Sequence, residues 1–413
     1  VYQCGLLGRK LAHSYSPDIH KAFGGYDYNL YEAEPENLER FLQTIAMDKG
    51  FLGLNVTIPY KQTVISFCKE LSPTAMAIGS VNTLLPLPSG GFYGANTDVA
   101  GFVAMISALS QLSGFDVAGK KVLVLGSGGS SRTVHYVLEQ HCAKEIVTIS
   151  RSGEHNYQNL HKHENADVIV NTTPVGMYPD TEESPIDLSI FLHLEGVLDL
   201  IYNPARTQLL TDAAEWGIPC VGGLVMLIEQ AAAASALFTG KTVSPEKCKD
   251  VLSQLSRSME NVVLIGMPGC GKSTVGRALA KQMGRPFVDI DEEVAAMSGC
   301  SIPEIFERVG EAGFREKEAD AIKQWGKQSG NVIATGGGCV TRMENFFSLR
   351  QNSIVIFLER ELGLLARDGR PLSQGDIDVL YKQRLPLYRR FADRAIQNDA
   401  ELSVVVNNIL SSF

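Results

Sequence analysis

The sequence predicts an α/β protein of more than one domain, and three observations carry that expectation. At 413 residues the chain exceeds what one ordinary core encloses. Short apolar runs alternate along it with stretches whose apolar residues recur at helical spacing. Twice, a glycine-rich segment stands directly between an apolar run and a helix-like stretch.

From Tyr2 to about Asn96 the run Gly53 to Ile58 reads as a strand and Pro35 to Met47 as a helix. From Lys121 a second series begins. Its runs Val122 to Leu125, Ile146 to Ile149, Val168 to Val170, Val197 to Leu200 and Pro219 to Val221 describe a parallel, doubly wound sheet. Helices are expected over Leu224 to Phe238 and Pro245 to Leu255, packed back on the first unit. The pattern resets around Arg257 to Glu260, and Val262 to Ile265 opens a third α/β unit that runs to the end. The expected domains are therefore 1–98 with 224–256, 99–223, and 261–413.

Composition narrows the function. With 45% hydrophobic and 20% charged residues the chain is globular, and its formal charge of −9, with no basic run, argues against a nucleic-acid surface. Eight cysteines stand singly, without CxxC or Cys/His ligand spacing, so reduced thiols and no zinc are expected. No apolar run reaches the roughly 18 residues of a membrane span, and no leader pattern opens the sequence. A cytoplasmic protein acting on small molecules is expected, with its oligomeric state open. Val1 in place of Met leaves room for residues upstream.

Gly266-Met267-Pro268-Gly269-Cys270-Gly271-Lys272-Ser273 matches GxxxxGK[ST], after a strand and before the helical stretch Thr274 to Met283. Glycines let backbone N–H groups wrap a polyphosphate, Lys272 reaches the β and γ phosphates, and the Ser273 hydroxyl can ligate Mg²⁺. Asp289 and Asp291 are expected on one side of an extended strand end, one serving Mg²⁺ and the other an acceptor hydroxyl. The alternative for an isolated pair is a solvated strand terminus.

Gly310 to Glu318, Gly336-Gly337-Gly338 and Arg370-Pro371-Leu372 join these residues, and the set resembles shikimate kinase over 261–413. The resemblance implies that Asp291 contacts the acceptor hydroxyls and that Arg315 and Arg384 bind the substrate carboxylate. It also implies that Gly336, Gly337 and Gly338 approach the ring, that Glu318 orients Arg315, and that Arg370 closes over ATP. Gly269 to Thr274 would hold the nucleotide, and Ser273 with Asp289 the Mg²⁺. In-line transfer of the γ-phosphoryl follows, with two guanidinium groups orienting one carboxylate.

Gly126-Ser127-Gly128-Gly129-Ser130-Ser131 closes the strand Val122 to Leu125 where a Rossmann-type dinucleotide fingerprint belongs. Its third glycine position holds Ser131, small enough for close helix packing. At the end of the second strand, where NAD enzymes place a carboxylate, Ser150-Arg151-Ser152 stands instead. A guanidinium there favours the 2′-phosphate of NADP(H), the alternative being a structural surface arginine.

The segments His13 to Pro17, Asn55 to Lys61, Gly79 to Thr83, Gly94 to Asp98, Asn171 to Met177 and Gly222 to Gln230 together resemble shikimate dehydrogenase, in family order from residue 2 to about 255. The resemblance implies that Ser14 and Ser16 hold the substrate carboxylate, that Thr57, Asn82, Tyr202 and Gln230 line its pocket, and that Lys61 and Asp98 are the catalytic pair. Thr173, Leu200 and Gly223 would join the glycine loop in holding the cofactor. Ser130-Ser131 and Ser152-Gly153-Glu154 depart from the family's usual pattern. Singly, Ser14 and Ser16 would serve as caps for a helix beginning at Pro17.

Together the two resemblances imply reduction of 3-dehydroshikimate with NADPH, then phosphorylation of shikimate by Mg-ATP. The alternatives are a quinate-directed dehydrogenase and a kinase-like domain that senses ligand without turnover.

Overall fold

A computed structural model of the chain describes residues 2–11, 14–365 and 377–412. These residues divide into two compact units. Val1–Gly176, Ser184–Tyr202 and Leu209–Leu255 form the first, and Met177–Glu183, Asn203–Gln208 and Ser256–Phe413 the second.

The first unit holds two sheets. Strands β1 (Gln3–Gly8), β2 (Asp27–Glu32), β3 (Phe51–Val56), β4 (Cys68–Leu71), β5 (Thr83–Pro86) and β6 (Phe92–Ala95) form a mixed sheet in the order β2-β1-β3-β5-β6-β4. Its first three strands are parallel, whereas β5 runs antiparallel to both β3 and β6. The second sheet comprises β7 (Lys121–Leu125), β8 (Glu145–Ile149), β9 (Val168–Asn171), β10 (Gly196–Asp199) and β11 (Cys220–Gly222). Its order is β11-β10-β9-β7-β8 and every pair is parallel. That matches the doubly wound expectation, strand by strand.

Burial explains why the second series reads so plainly. Val122, Leu123, Val124 and Leu125 are all fully buried because helices cover both faces of a parallel sheet. Each such side chain contributes about 1.5–3 kcal/mol. Helices Asp98–Ser113 and Leu224–Thr239 pack on each other, the former against β10 and β11 and the latter against β3 and β5. Leu224–Thr239 therefore returns to the first sheet, as its apolar pattern predicts.

In the second unit β12 (Asn261–Ile265), β13 (Phe287–Asp289), β14 (Val332–Ala334), β15 (Ser353–Glu359) and β16 (Arg394–Gln397) form a parallel sheet in the order β13-β14-β12-β15-β16. Residues 261–265 are buried throughout and centre its core.

Three local expectations are corrected. Asp289 and Asp291 do not share a strand end: Asp289 closes β13 and caps the helix Ile290–Ser298, its Oδ1 accepting from the Asp291 N–H at 3.1 Å, so Asp291 lies in the first helical turn. An aspartate at a strand end is a strong N-cap, and capping stops the strand one residue early. The helix expected to end near Leu255 continues to Met259. Finally, the helix Ser16–Phe23 begins at Ser16, after Tyr15 and without a side-chain cap. Ser14 Oγ instead accepts from the Ser16 N–H at 3.3 Å.

Candidate active sites

In the first unit one cavity of about 190 Å³ gathers Ser14, Ser16, Thr57, Lys61, Asn82, Asp98, Tyr202 and Gln230, the whole substrate-side set expected from the sequence. Ser130, Leu200 and Gly223 of the cofactor set line it as well. Lys61 follows β3, and its Nζ meets Asp98 Oδ2 at 2.6 Å. Asp98 opens the helix Asp98–Ser113, where the helix dipole favours a carboxylate. Its other oxygen accepts from Asn82 Nδ2 at 2.9 Å, and its N–H donates to Asn96 Oδ1 at 3.1 Å. The pair is mostly buried, so it can hold and release a proton at one fixed place. Burial, with Tyr15 beside it, raises the Tyr202 phenol above its ordinary pKa, which keeps it a neutral donor.

Asn55 also lines this cavity and was not foreseen. Its signal was a polar residue inside the otherwise apolar run of β3, a place where a buried amide must find partners.

Gly126 follows β7 at φ +103°, and a Cβ there would stand 2.8 Å from Thr172 Oγ1. The helix Gly129–Gln140 then begins, with Ser131 buried against the fold as expected for the third small position. Around Gly128 and Gly129 there is open space, so the helix N-terminus can receive an anion. Ser127 lies in the same loop. Thr173 is fixed through Asn171 Oδ1, which accepts from its N–H and its hydroxyl at 3.0 and 2.7 Å. Ser150, Arg151 and Ser152 follow β8, where Arg151 is exposed and the Ser150 N–H donates to His155 O at 3.2 Å. These cofactor residues follow the carboxyl ends of β7, β8 and β9 and do not line the substrate cavity.

The second unit carries a cavity of about 320 Å³ lined by Gly269, Gly271, Lys272, Ser273, Thr274, Asp291, Arg315, Gly336, Gly337, Gly338 and Arg384. Pro268, Ile302, Phe306, Phe314 and Thr335 complete it; no role was foreseen for Ile302, Phe306 and Phe314, because an apolar wall carries no motif. Cys270 is buried beneath the loop, and Arg370 lies outside the described residues. Gly271 takes φ +97°, which turns the loop into the helix Lys272–Met283. Lys272 Nζ donates to the Gly266 and Met267 carbonyls at 2.9 and 3.0 Å, so the ammonium lies across the loop it serves. Ser273 Oγ donates to Asp289 Oδ2 at 2.6 Å. Hydroxyl and carboxylate oxygens in contact are the donor set a hard divalent cation takes.

On the opposite wall Arg315 Nη1 donates to Glu318 Oε2 at 2.7 Å and Nη2 to Glu311 at 3.2 Å. Glu318 is wholly buried, and burial raises its pKa against the opposing pull of Arg315. This is no surface ion pair. The glycine triplet is a matter of space: a Cβ on Gly336 would lie 2.0 Å from Glu318 Oε1, and one on Gly338 2.0 Å from Arg315 Nη2. Gly337 O accepts from Arg384 Nη1 at 3.1 Å and from the Tyr388 hydroxyl at 2.5 Å.

A dinucleotide-type sheet beside a lysine–aspartate cavity, and a P-loop facing paired arginines, define a two-site enzyme of reduction and phosphoryl transfer. Family models agree. The substrate-binding domain of shikimate dehydrogenase matches 6–84, the shikimate 5'-dehydrogenase C-terminal domain 223–252, and shikimate kinase 268–413. The NADP⁺ shikimate dehydrogenase of Methanopyrus kandleri is 36% identical over 276 residues, covering 60% of this chain and 93% of that protein. A chorismate mutase/shikimate 5-dehydrogenase fusion protein from Clostridium acetobutylicum superposes with a TM-score of 0.58 at 36% identity, covering 62% of this chain and 97% of that one. The Thermus thermophilus shikimate 5-dehydrogenase in complex with NADP(H) and shikimate gives 0.54 at 28%, covering 62% and 99%. The chain belongs to the shikimate dehydrogenase family and carries in addition a shikimate kinase domain.

Proposed function

We propose that the chain catalyses two consecutive steps of aromatic amino-acid biosynthesis: reduction of 3-dehydroshikimate to shikimate with NADPH, then phosphorylation of shikimate to shikimate 3-phosphate with ATP. The observation that carries this reading is the coexistence of two sites whose chemistries share one molecule, the product of the first being the substrate of the second. The domain boundaries 1–98 with 224–256, 99–223, and 261–413, and a cytoplasmic location, belong to the same reading.

At the first site Ser14 and Ser16 hold the carboxylate while Thr57, Asn82, Tyr202 and Gln230 orient the ring. Bound NADPH supplies the hydride. Lys61, paired with Asp98, delivers the proton that turns the developing alkoxide into a hydroxyl, and Asn82 keeps Asp98 in place for it. The exposed Arg151 faces the 2′-phosphate, supported by Ser150 and Ser152.

At the second site the donor set of Ser273 and Asp289 fits Mg²⁺, which would neutralise phosphate charge when bound. Asp291 positions the acceptor hydroxyl and takes its proton. Arg315 and Arg384 grip the carboxylate, Glu318 orients Arg315, and Lys272 moves from the loop carbonyls to the transferring phosphoryl group. Arg370 is assigned to closure over ATP.

Single-site variants test the assignment. Lys61→Ala should cut NADPH oxidation by about 10²–10⁴-fold and leave ADP formation from added shikimate intact, while Lys272→Ala should do the reverse. Loss of both activities in either variant would sink the assignment of one reaction to each site.

A further inference from the structure

Behind the wall of the first cavity lies a polar cluster that the reductase chemistry does not use. His20 is fully buried, with its Nδ1 2.6 Å from the Tyr26 hydroxyl and its Nε2 without a hydrogen-bond partner among the described residues. Its ring stacks on Tyr28 at 3.9 Å between centroids and 6° between planes. Burial pushes the His20 pKa down to about 3, so the ring is neutral and lies on the phenol as an uncharged plate. Clamped this way, Tyr28 donates its hydroxyl to Asn55 Oδ1 at 2.8 Å, and the Ser16 side chain hydrogen-bonds to the Tyr28 phenol. Asn55 and Ser16 both line the cavity.

An asparagine amide has two ends of similar shape and opposite polarity, so its neighbours decide which way it faces. With a donor on Oδ1, Asn55 must turn Nδ2 toward Thr83 Oγ1, at 3.1 Å, and the Asn82 carbonyl, at 3.4 Å. Remove the Tyr28 proton and Oδ1 loses its donor, leaving only the contacts at Nδ2 to hold the amide. Asn82 touches Asn55 through its carbonyl, but its side chain has anchors of its own, Oδ1 accepting from the Thr97 N–H at 2.7 Å and Nδ2 donating to Asp98 Oδ1 at 2.9 Å, so these bonds to the Lys61–Asp98 pair do not pass through Tyr28.

We propose that Tyr28, clamped by His20, is a positioning residue of the reductase that fixes Asn55 and Ser16 for the substrate without touching the reacting atoms. The inference rests on the reductase reading above. It predicts a divided kinetic signature, because the groups it sets bind substrate while the proton donor is anchored elsewhere.

Tyr28→Phe keeps the ring and the stack and removes only the proton. The full chain carrying it should show a KM for 3-dehydroshikimate raised roughly two- to tenfold, the range expected for one neutral hydrogen bond, with kcat and the KM for NADPH changed less than about twofold. In an Asn55→Ala background the same change should raise KM by less than it does alone, because only the Ser16 contact is left to lose. KM does not depend on the folded fraction of a sample, so partial instability would not mask the result. An unchanged KM for 3-dehydroshikimate, a fall in kcat alone, an equal rise in the KM for NADPH, or full additivity with Asn55→Ala would each overturn the proposal. If the unsubstituted chain does not oxidise NADPH with 3-dehydroshikimate, the reductase reading itself fails and the proposal falls with it.

Discussion

Lys61 meets Asp98 at 2.6 Å because Asn82 and the start of a helix have already fixed the carboxylate. Arg315 is likewise fixed by Glu318, whose burial makes the pair costly to break: Glu318→Ala would leave a buried guanidinium with only the half-exposed Glu311 and cost up to about 3 kcal/mol of stability, read by urea denaturation. His20 gives a dependence on pH. Its pKa falls from 6.5 to about 3 on folding, so the unfolded chain binds the extra proton between those values. Its contribution is complete above 6.5 and is lost as pH falls toward 3, with a slope of up to about 1.4 kcal/mol per pH unit. In His20→Gln that part of the stability curve should flatten; an unchanged curve would show that His20 is not held neutral. Of these residues, Lys61, Asp98 and Arg315 were singled out in the sequence through the resemblance of the segments that carry them, since none stands out when taken alone. Asn55, Tyr28 and His20 were not. A polar side chain turned inward from an apolar strand or helix leaves no period, and its role depends on partners distant in sequence.

At the scale of elements, function gathers where parallel strands end. The turn after β7, the loop after β12 and the triplet after β14 all lie at carboxyl ends of strands, the place where open parallel sheets leave a crevice. Strand–glycine–helix order was readable for that reason. The helix begun by Asp289 was not, because an aspartate at a strand end satisfies a strand reading and an N-cap reading equally until the fold decides. The triplet offers a test of packing rather than chemistry. A methyl group at Gly338 would collide with the Arg315 guanidinium and push it off its position against Glu318, into the cavity it lines. Gly338→Ala should therefore raise the kinase KM for shikimate by at least about tenfold, the loss of one charge-assisted contact, while NADPH oxidation is unchanged. A kinase with an unaltered KM would mean that Arg315 does not bind the substrate.

At the scale of the molecule, two units contain two sites of different chemistry, and among the described residues each cavity is lined from its own unit. Among the described residues no helix is long and apolar enough to cross a membrane. What binds the units into one functional account is their shared substrate, since shikimate leaves one site as product and enters the other as acceptor. The decisive assay supplies the purified full chain with 3-dehydroshikimate and Mg-ATP, then adds NADPH, and follows NADPH loss, ADP and shikimate 3-phosphate together. Two consecutive activities on one chain require that no ADP forms before NADPH is added, and that afterwards NADPH consumed, ADP and shikimate 3-phosphate approach equal amounts. ADP release independent of NADPH, or NADPH consumption that yields shikimate and never its phosphate, would contradict it.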